Sequence, residues 1–218
     1  MKKNVLISAA LAIFCTMSLF AWKHSADVEI SSPFFSVQSK GDGTKNIIEP
    51  QGTFRYFGKA QNGFCTSGAL SVGVPLSKNF TLDGEDATAK GVGLGIAMGA
   101  GYDFTLGERV TLAALGSVSF DWLRFSYKKE YYARAGSINY TSEWTQTDDA
   151  LFLGLGVELL SRFKLSNHIS LVTVCAARFV DGGILWKNGN KQGRNYDTSY
   201  DLRGNFSVVP ALGVSWIF

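Results

Sequence analysis

Between Val92 and Phe104 every second residue is apolar and mostly bulky: Val92, Leu94, Ile96, Met98, Ala100, Tyr102, Phe104. The same division returns at the end of the chain, in Phe206, Val208, Pro210, Leu212, Val214, Trp216 and Phe218. A period of two is that of a β-strand, whose successive side chains point to opposite faces. In a strand with one face in water the intervening residues would be charged. Here the set is mostly small: Gly93, Gly95, Ala97, Gly99, Gly101 and Asp103 in the first run, Ser207, Val209, Ala211, Gly213, Ser215 and Ile217 in the second. A large apolar face backed by a small one fits a closed barrel with lipid outside and a narrow, side-chain-filled lumen.

Further segments repeat the pattern. Val110 to Trp122 and Leu151 to Leu159 alternate in the same way, Phe64 to Val74 more weakly, and Ile169 to Phe179 is apolar on both faces until Arg178. Val28 to Val37 and Thr53 to Lys59 complete a set of eight, the even number that single-chain bacterial barrels use. The connections at 60–62, 105–108 and 164–168 are short, and those at about 38–51, 77–90, 126–149 and 181–203 are long. Alternating short turns and long loops is the layout of a membrane barrel, with the turns periplasmic and the loops outside. Aromatic residues fall at strand ends on the lipid-facing parity: Phe64, Tyr102, Phe104, Phe163, Trp216 and Phe218 at one end, Phe120, Trp122, Phe179 and Phe206 at the other. Two such belts suit the two headgroup layers. Pro210 lies inside a predicted strand and lacks an N–H, so a local bulge is expected there.

Lys2 and Lys3 followed by an apolar run from Val5 to Phe20 and the small Ala21 have the order of a secretory signal. Residues 1–21 are therefore expected to be removed, leaving 22–218 as the barrel domain. Without Lys2 and Lys3, the 21 basic residues become 19 against 18 acids, a near-neutral balance that gives nucleic acid no basic surface. Cys65 and Cys175 fall on opposite strand faces and on strands far apart, which excludes a disulfide between them.

The chain closes Ala211-Leu-Gly-Val-Ser-Trp-Ile-Phe218. This ending resembles that of bacterial outer-membrane β-barrel proteins, with a final Phe218, an aromatic Trp216 two residues earlier and Gly213 five before the end. The resemblance implies that the barrel-assembly machinery reads this last strand. In size and strand count the mature chain resembles the small eight-stranded barrels of the OmpX, OmpW and opacity-protein type. The fold class expected is thus all-β, an eight-stranded antiparallel up-and-down transmembrane barrel in the bacterial outer membrane, with termini periplasmic and four long loops extracellular.

Candidate sites are of two kinds. Glu29, Arg55, Asp121, Glu158 and Arg178 all take the inward parity, and charges in a narrow lumen must pair to offset their desolvation. They are expected to form a salt-bridge network that plugs the barrel or gates it. Tyr131, Tyr132, Arg134 and Trp144 in the third loop, and Trp186, Arg194 and Tyr196 in the fourth, are aromatic and arginine side chains of the kind that make protein contacts. His24 and His168 have no metal-ligand spacing around them, and Gly91-Val-Gly93-Leu-Gly95 lies inside a strand rather than in a nucleotide loop. No metal, cofactor or catalytic group is expected. The partners expected are outer-membrane lipid, the assembly machinery and a host or surface macromolecule. A non-enzymatic surface protein is the first reading, a narrow channel for small hydrophobic or polar solutes the second, and an enzyme acting on outer-leaflet lipid the third.

Overall fold

The alternation described above becomes a closed antiparallel barrel in the computed structural model, which describes residues 23–39, 43–76, 81–82, 85–86, 88–135, 138–191 and 194–218. The strands are β1 (Lys23–Ser31), β2 (Phe34–Ser39), β3 (Gly43–Ile48), β4 (Gln51–Lys59), β5 (Phe64–Gly73), β6 (Thr81–Leu82), β7 (Glu85–Asp86), β8 (Thr88–Thr105), β9 (Val110–Ala135), β10 (Ile138–Lys164), β11 (Ile169–Lys191) and β12 (Arg194–Ile217). The wall runs β1-β4-β5-β8-β9-β10-β11-β12, and β12 pairs with β1 to close it. The signal-like segment 1–21 lies outside the described residues.

β2 and β3 are the outer halves of the first two staves. β1 meets β4 at Ser31↔Gln51, and β2 meets β3 at Phe34↔Ile48, in one unbroken register. The interruption falls at Ser32-Pro33 on one arm and Glu49-Pro50 on the other. The barrel therefore has eight staves, as the sequence predicts. The expected first strand, Val28 to Val37, starts five residues too late and runs through this break.

One reading is resolved here and one expectation needs correction. Of the two readings open for 126–149 and 181–203, loops or strand extensions with solvated tips, the described residues take the second: β9 continues to Ala135, β10 starts at Ile138, and β11 and β12 pair as far as Lys191↔Arg194. Polar residues there suit a sheet in water as well as they suit a loop. Pro210 does not cause the expected bulge. It sits opposite Cys175 without a register change, and the shifts fall instead at Leu153/Gly154 and Arg203/Phe206. Ser32 N–H donates to the Pro210 carbonyl (3.4 Å), so the missing proline N–H faces Ser32, where β1 already leaves the ladder.

The outer surface carries the apolar stripes, with Val28, Ile30, Phe54, Leu70, Leu94, Leu155, Val157, Leu212 and Val214 all exposed. Both aromatic belts lie on that face, and Trp122 alone among them is half-buried. At the short-turn end Gly63 (φ 86°) and Gly107 (φ 132°) adopt backbone angles that side chains disfavour. The interior is not uniformly slim, contrary to the expected division into bulky and small faces. Toward the short-turn end Phe57, Cys65, Ala113, Leu115, Leu160, Val172 and Val174 fill the lumen. Toward the other end Phe35 stacks on Phe152 (centroids 6.1 Å apart), with Leu123 and Phe125 also buried. A sealed interior must be filled at crystal-like density, and glycine alone cannot do that.

Candidate functional site: a charge ladder across the lumen

Between the two apolar layers lie the five charged residues predicted to face inward. Arg55 on β4 donates through Nε to Glu29 Oε1 and through Nη1 to Glu158 Oε2, both at 2.8 Å. Arg178 Nη2 reaches Glu158 Oε1 at 2.9 Å, and Arg178 Nη1 lies 3.9 Å from Asp121 Oδ2. Asp121 also accepts a bond from Ser119 Oγ (3.1 Å). β4 and β10 are four staves apart in an eight-stave wall, so the Arg55–Glu158 pair spans the full diameter. Exposures of 1% for Glu158, 2% for Glu29 and 4% for Arg55 show that water is shut out at this level. Beside the ladder is a polar cavity of about 20 Å3, bordered by Ser71, Gln51 and Asp121, with room for about one water molecule.

Small residues make this packing feasible. A Cβ at Gly213 would lie 2.2 Å from the Val28 carbonyl oxygen and 2.9 Å from Glu29 Cγ. The glycine of the C-terminal pattern thus lets β1 close against β12 beside a ladder residue. Trp216 and Phe218, from the same pattern, are exposed on the outer face at the barrel rim. Gly95 leaves space for Ser71 Oγ and Asp121 Oδ1.

Further ionisable groups face inward; the sequence reading placed Asp103 on that face but named none of them as a site. Arg162 Nη2 bonds Asp27 Oδ2 (2.8 Å), and its guanidinium lies 3.8 Å from the Phe57 ring centroid. Lys59 Nζ meets Asp103 Oδ2 at 2.6 Å. Asp27 precedes the expected start of the first strand, and Arg162 lies beyond the Leu151–Leu159 stripe but before the expected turn at 164–168. Extending the Glu29 and Glu158 parity outward would have found both. Glu49, in the break between β3 and β4, is 3% exposed. Among the described residues its carboxylate has no hydrogen-bond or ion-pair partner. It lies against Gly73 and Gly93, where an added Cβ would come within 2.3 and 1.8 Å of Oε1.

The aromatic and arginine residues predicted to make surface contacts are on the long strands. Tyr131, Tyr132 and Arg134 lie on β9, Trp144 on β10, Trp186 on β11, and Arg194 and Tyr196 on β12. Trp186 is half-buried. The side chains of the other six are outside the described residues. His24 Nδ1 meets Tyr56 Oη, and its ring stacks on Phe218. His168 Nδ1 lies 3.4 Å from the Ile217 carbonyl oxygen. Both histidines thus flank the end of β12.

No family model and no curated protein matches the sequence. Among solved structures, a major outer membrane protein from Thermus thermophilus is similar in fold. Its TM-score is 0.59 at 12% identity, over 88% of this chain and 99% of that one. Neisserial surface protein A covers 88% of this chain and 96% of its own, at 13% identity and a TM-score of 0.47. The fold is that of the small eight-stranded outer-membrane barrels.

Proposed function

We propose that the chain is an integral outer-membrane surface protein without enzymatic activity, which makes contacts through the sheet it raises beyond the membrane. The observation that carries this reading is the difference in strand height. β8 pairs with β9 only as far as Thr88↔Lys128, and β2 pairs with β12 only as far as Leu202↔Ser39. β9 runs on to Ala135 and β12 begins at Arg194. Beyond those points β9, β10, β11 and β12 form a four-stranded sheet with two edges that have no further strand among the described residues. Unpaired edges offer N–H and C=O groups to a partner strand, and Tyr131, Tyr132, Trp144 and Tyr196 in these strands are residue types common in protein contacts. With the short turns in the periplasm, this sheet stands outside the cell, facing host molecules or neighbouring surface components. The ladder-closed lumen favours this reading over a channel.

Replacing residues 129–145 and 188–200 with short turns tests it. The shortened barrel should still migrate differently when folded and boiled, but should lose binding to immobilised host matrix. Unchanged binding overturns the surface reading. Steady conductance of the intact protein in planar bilayers would favour a channel instead.

A further inference from the structure

The two arginines of the ladder are held unequally. Arg55 donates to Glu29 and to Glu158 at 2.8 Å, and to Ser67 Oγ at 3.4 Å. Arg178 makes one hydrogen bond, from Nη2 to Glu158 at 2.9 Å. Its Nη1 stands 3.9 Å from Asp121 Oδ2, beyond the reach of a direct hydrogen bond. Its Nε belongs to a residue only 6% exposed and has no hydrogen-bond partner among the described residues. Both guanidiniums converge on Glu158, so Asp121 is the ladder carboxylate with the weakest compensation. A buried guanidinium N–H without an acceptor is costly, and folded proteins satisfy such groups with a side chain or an ordered water.

The cavity of about 20 Å3 lies at this gap. Arg178, Asp121, Ser71, Gln51 and Ser31 all border it. Ser31 Oγ is buried and, like Arg178 Nε, has no hydrogen-bond partner among the described residues. Asp121 Oδ1 and Ser71 Oγ crowd the face of Gly95, at 2.8 and 2.3 Å from where a Cβ would stand, so the glycine keeps the space open. One unsatisfied N–H donor, one carboxylate, two hydroxyls and an amide therefore share a space the size of a single water. A buried water takes about two to four polar partners, and a polar contact stretched past about 3.5 Å is the place to find one. Glu29 and Asp121 border the cavity from one sign of charge, Arg55 and Arg178 from the other. A bare cation or anion would thus meet its own sign at close range, whereas a neutral molecule that both donates and accepts suits every neighbour.

We propose that one water molecule is a resident member of the ladder, held between Arg178 and Asp121, and that the ladder yields at this joint. The water accepts from Arg178 and donates to Asp121, with the Ser31 and Ser71 hydroxyls as its further partners. Glu29, Arg55 and Glu158 then form a dry bar across the lumen. Arg178 is an arm pinned to that bar by one bond and to the β9 wall through a molecule that can shift. It can change partners at Asp121 while the diameter-spanning Arg55–Glu158 pair stays whole.

The test uses the full barrel refolded in lipid nanodiscs with isotope-labelled arginine side chains, the Arg178 signals being assigned from their loss in Arg178→Lys. The Arg178 Nε–H should show magnetisation transfer from a water held longer than the particle takes to tumble, and the Arg55 Nε–H should show none. Rotation of the Arg178 guanidinium about its Cζ–Nε bond, read from exchange between its two Nη groups, should be at least tenfold faster than that of Arg55. Asp121→Glu adds one methylene, enough to bond Arg178 directly. It should abolish the water signal and slow the rotation toward the Arg55 rate, with heat-modifiable migration intact. Absence of a held water at Arg178 in the unaltered chain overturns the resident water, and equal rotation of the two arginines overturns the yielding joint. Both readouts stand even if Asp121→Glu fails to fold. A water signal that persists in a folded Asp121→Glu barrel overturns its placement between the two residues.

Discussion

The two halves of the wall are made of the same kind of strand and held in different ways. β9, β10, β11 and β12 run for 26, 27, 23 and 24 residues, and no proline interrupts the seams among them below the level of Pro210. β1, β4 and β5 have 9, 9 and 10 residues and stop beside Pro33, Pro50 and Pro75. The long half has enough ladder to stand beyond the bilayer as a sheet. The short half depends on what reaches it from across the lumen, above all Arg55 bonded to Glu158 and Asp27 bonded to Arg162. Seam bonds set local stiffness, and transluminal charge pairs set which halves move together.

Four substitutions probe that contrast, in order of falling effect, and the last is paired with a control of opposite sign. Arg55→Met leaves Glu29 and Glu158 buried with one fewer partner. It should cost about 3–5 kcal/mol in urea unfolding from detergent or bilayer; a loss under about 1 kcal/mol would mean the short half does not rely on the ladder. Leu155→Arg places a charge on the lipid face of the long half, where Leu155 is exposed. It should cost about 2–4 kcal/mol in the same measurement, and a neutral result would put that face in water. Gly93→Ala forces Glu49 and the Leu123 methyl aside, both within 3 Å of the new Cβ. A loss of about 1–3 kcal/mol is expected, reduced when Glu49→Ala is combined with it. Pro50→Ala should return a donor to the Val74 carbonyl and raise stability by about 0.5–1.5 kcal/mol. Proline placed at Ala114 in β9 should do the reverse, leaving backbone unpaired at membrane depth at several kcal/mol. Equal effects at the two sites would erase the distinction between the halves.

Much of this architecture was legible because a barrel in lipid obeys a two-residue period with few exceptions. Leu94, Leu155 and Val214 had to face outward, and once they did, Glu29, Arg55, Asp121, Glu158 and Arg178 had to face one another. What was not legible depends on relations across strands. Pro33, Pro50, Pro75 and Pro210 look unrelated along the chain and align only when the registers are known. Phe152 sits among glycines at inward positions, and its partner Phe35, on the inward parity of the expected Val28–Val37 strand, stands on a far part of the wall that parity alone does not bring to it. The tall sheet was obscured because its residues, such as Lys128 and Asp148, are polar on both faces, as strands in water and loops both are. Glu49 falls between two predicted elements, where period-two reasoning assigns no face.

β12 pairs with β11 along its whole length and with β1 from Ser25↔Ile217 to Ser31↔Ala211. The two staves farthest apart in sequence are therefore neighbours, and the cylinder cannot shut until β12 is in place. Up to that moment β1 presents an open edge, with Asp27 and Glu29 awaiting opposite charges that arrive more than a hundred positions later in the case of Arg162. Such distant pairing slows spontaneous closure, and the β1–β12 seam joins the most widely separated segments of the wall.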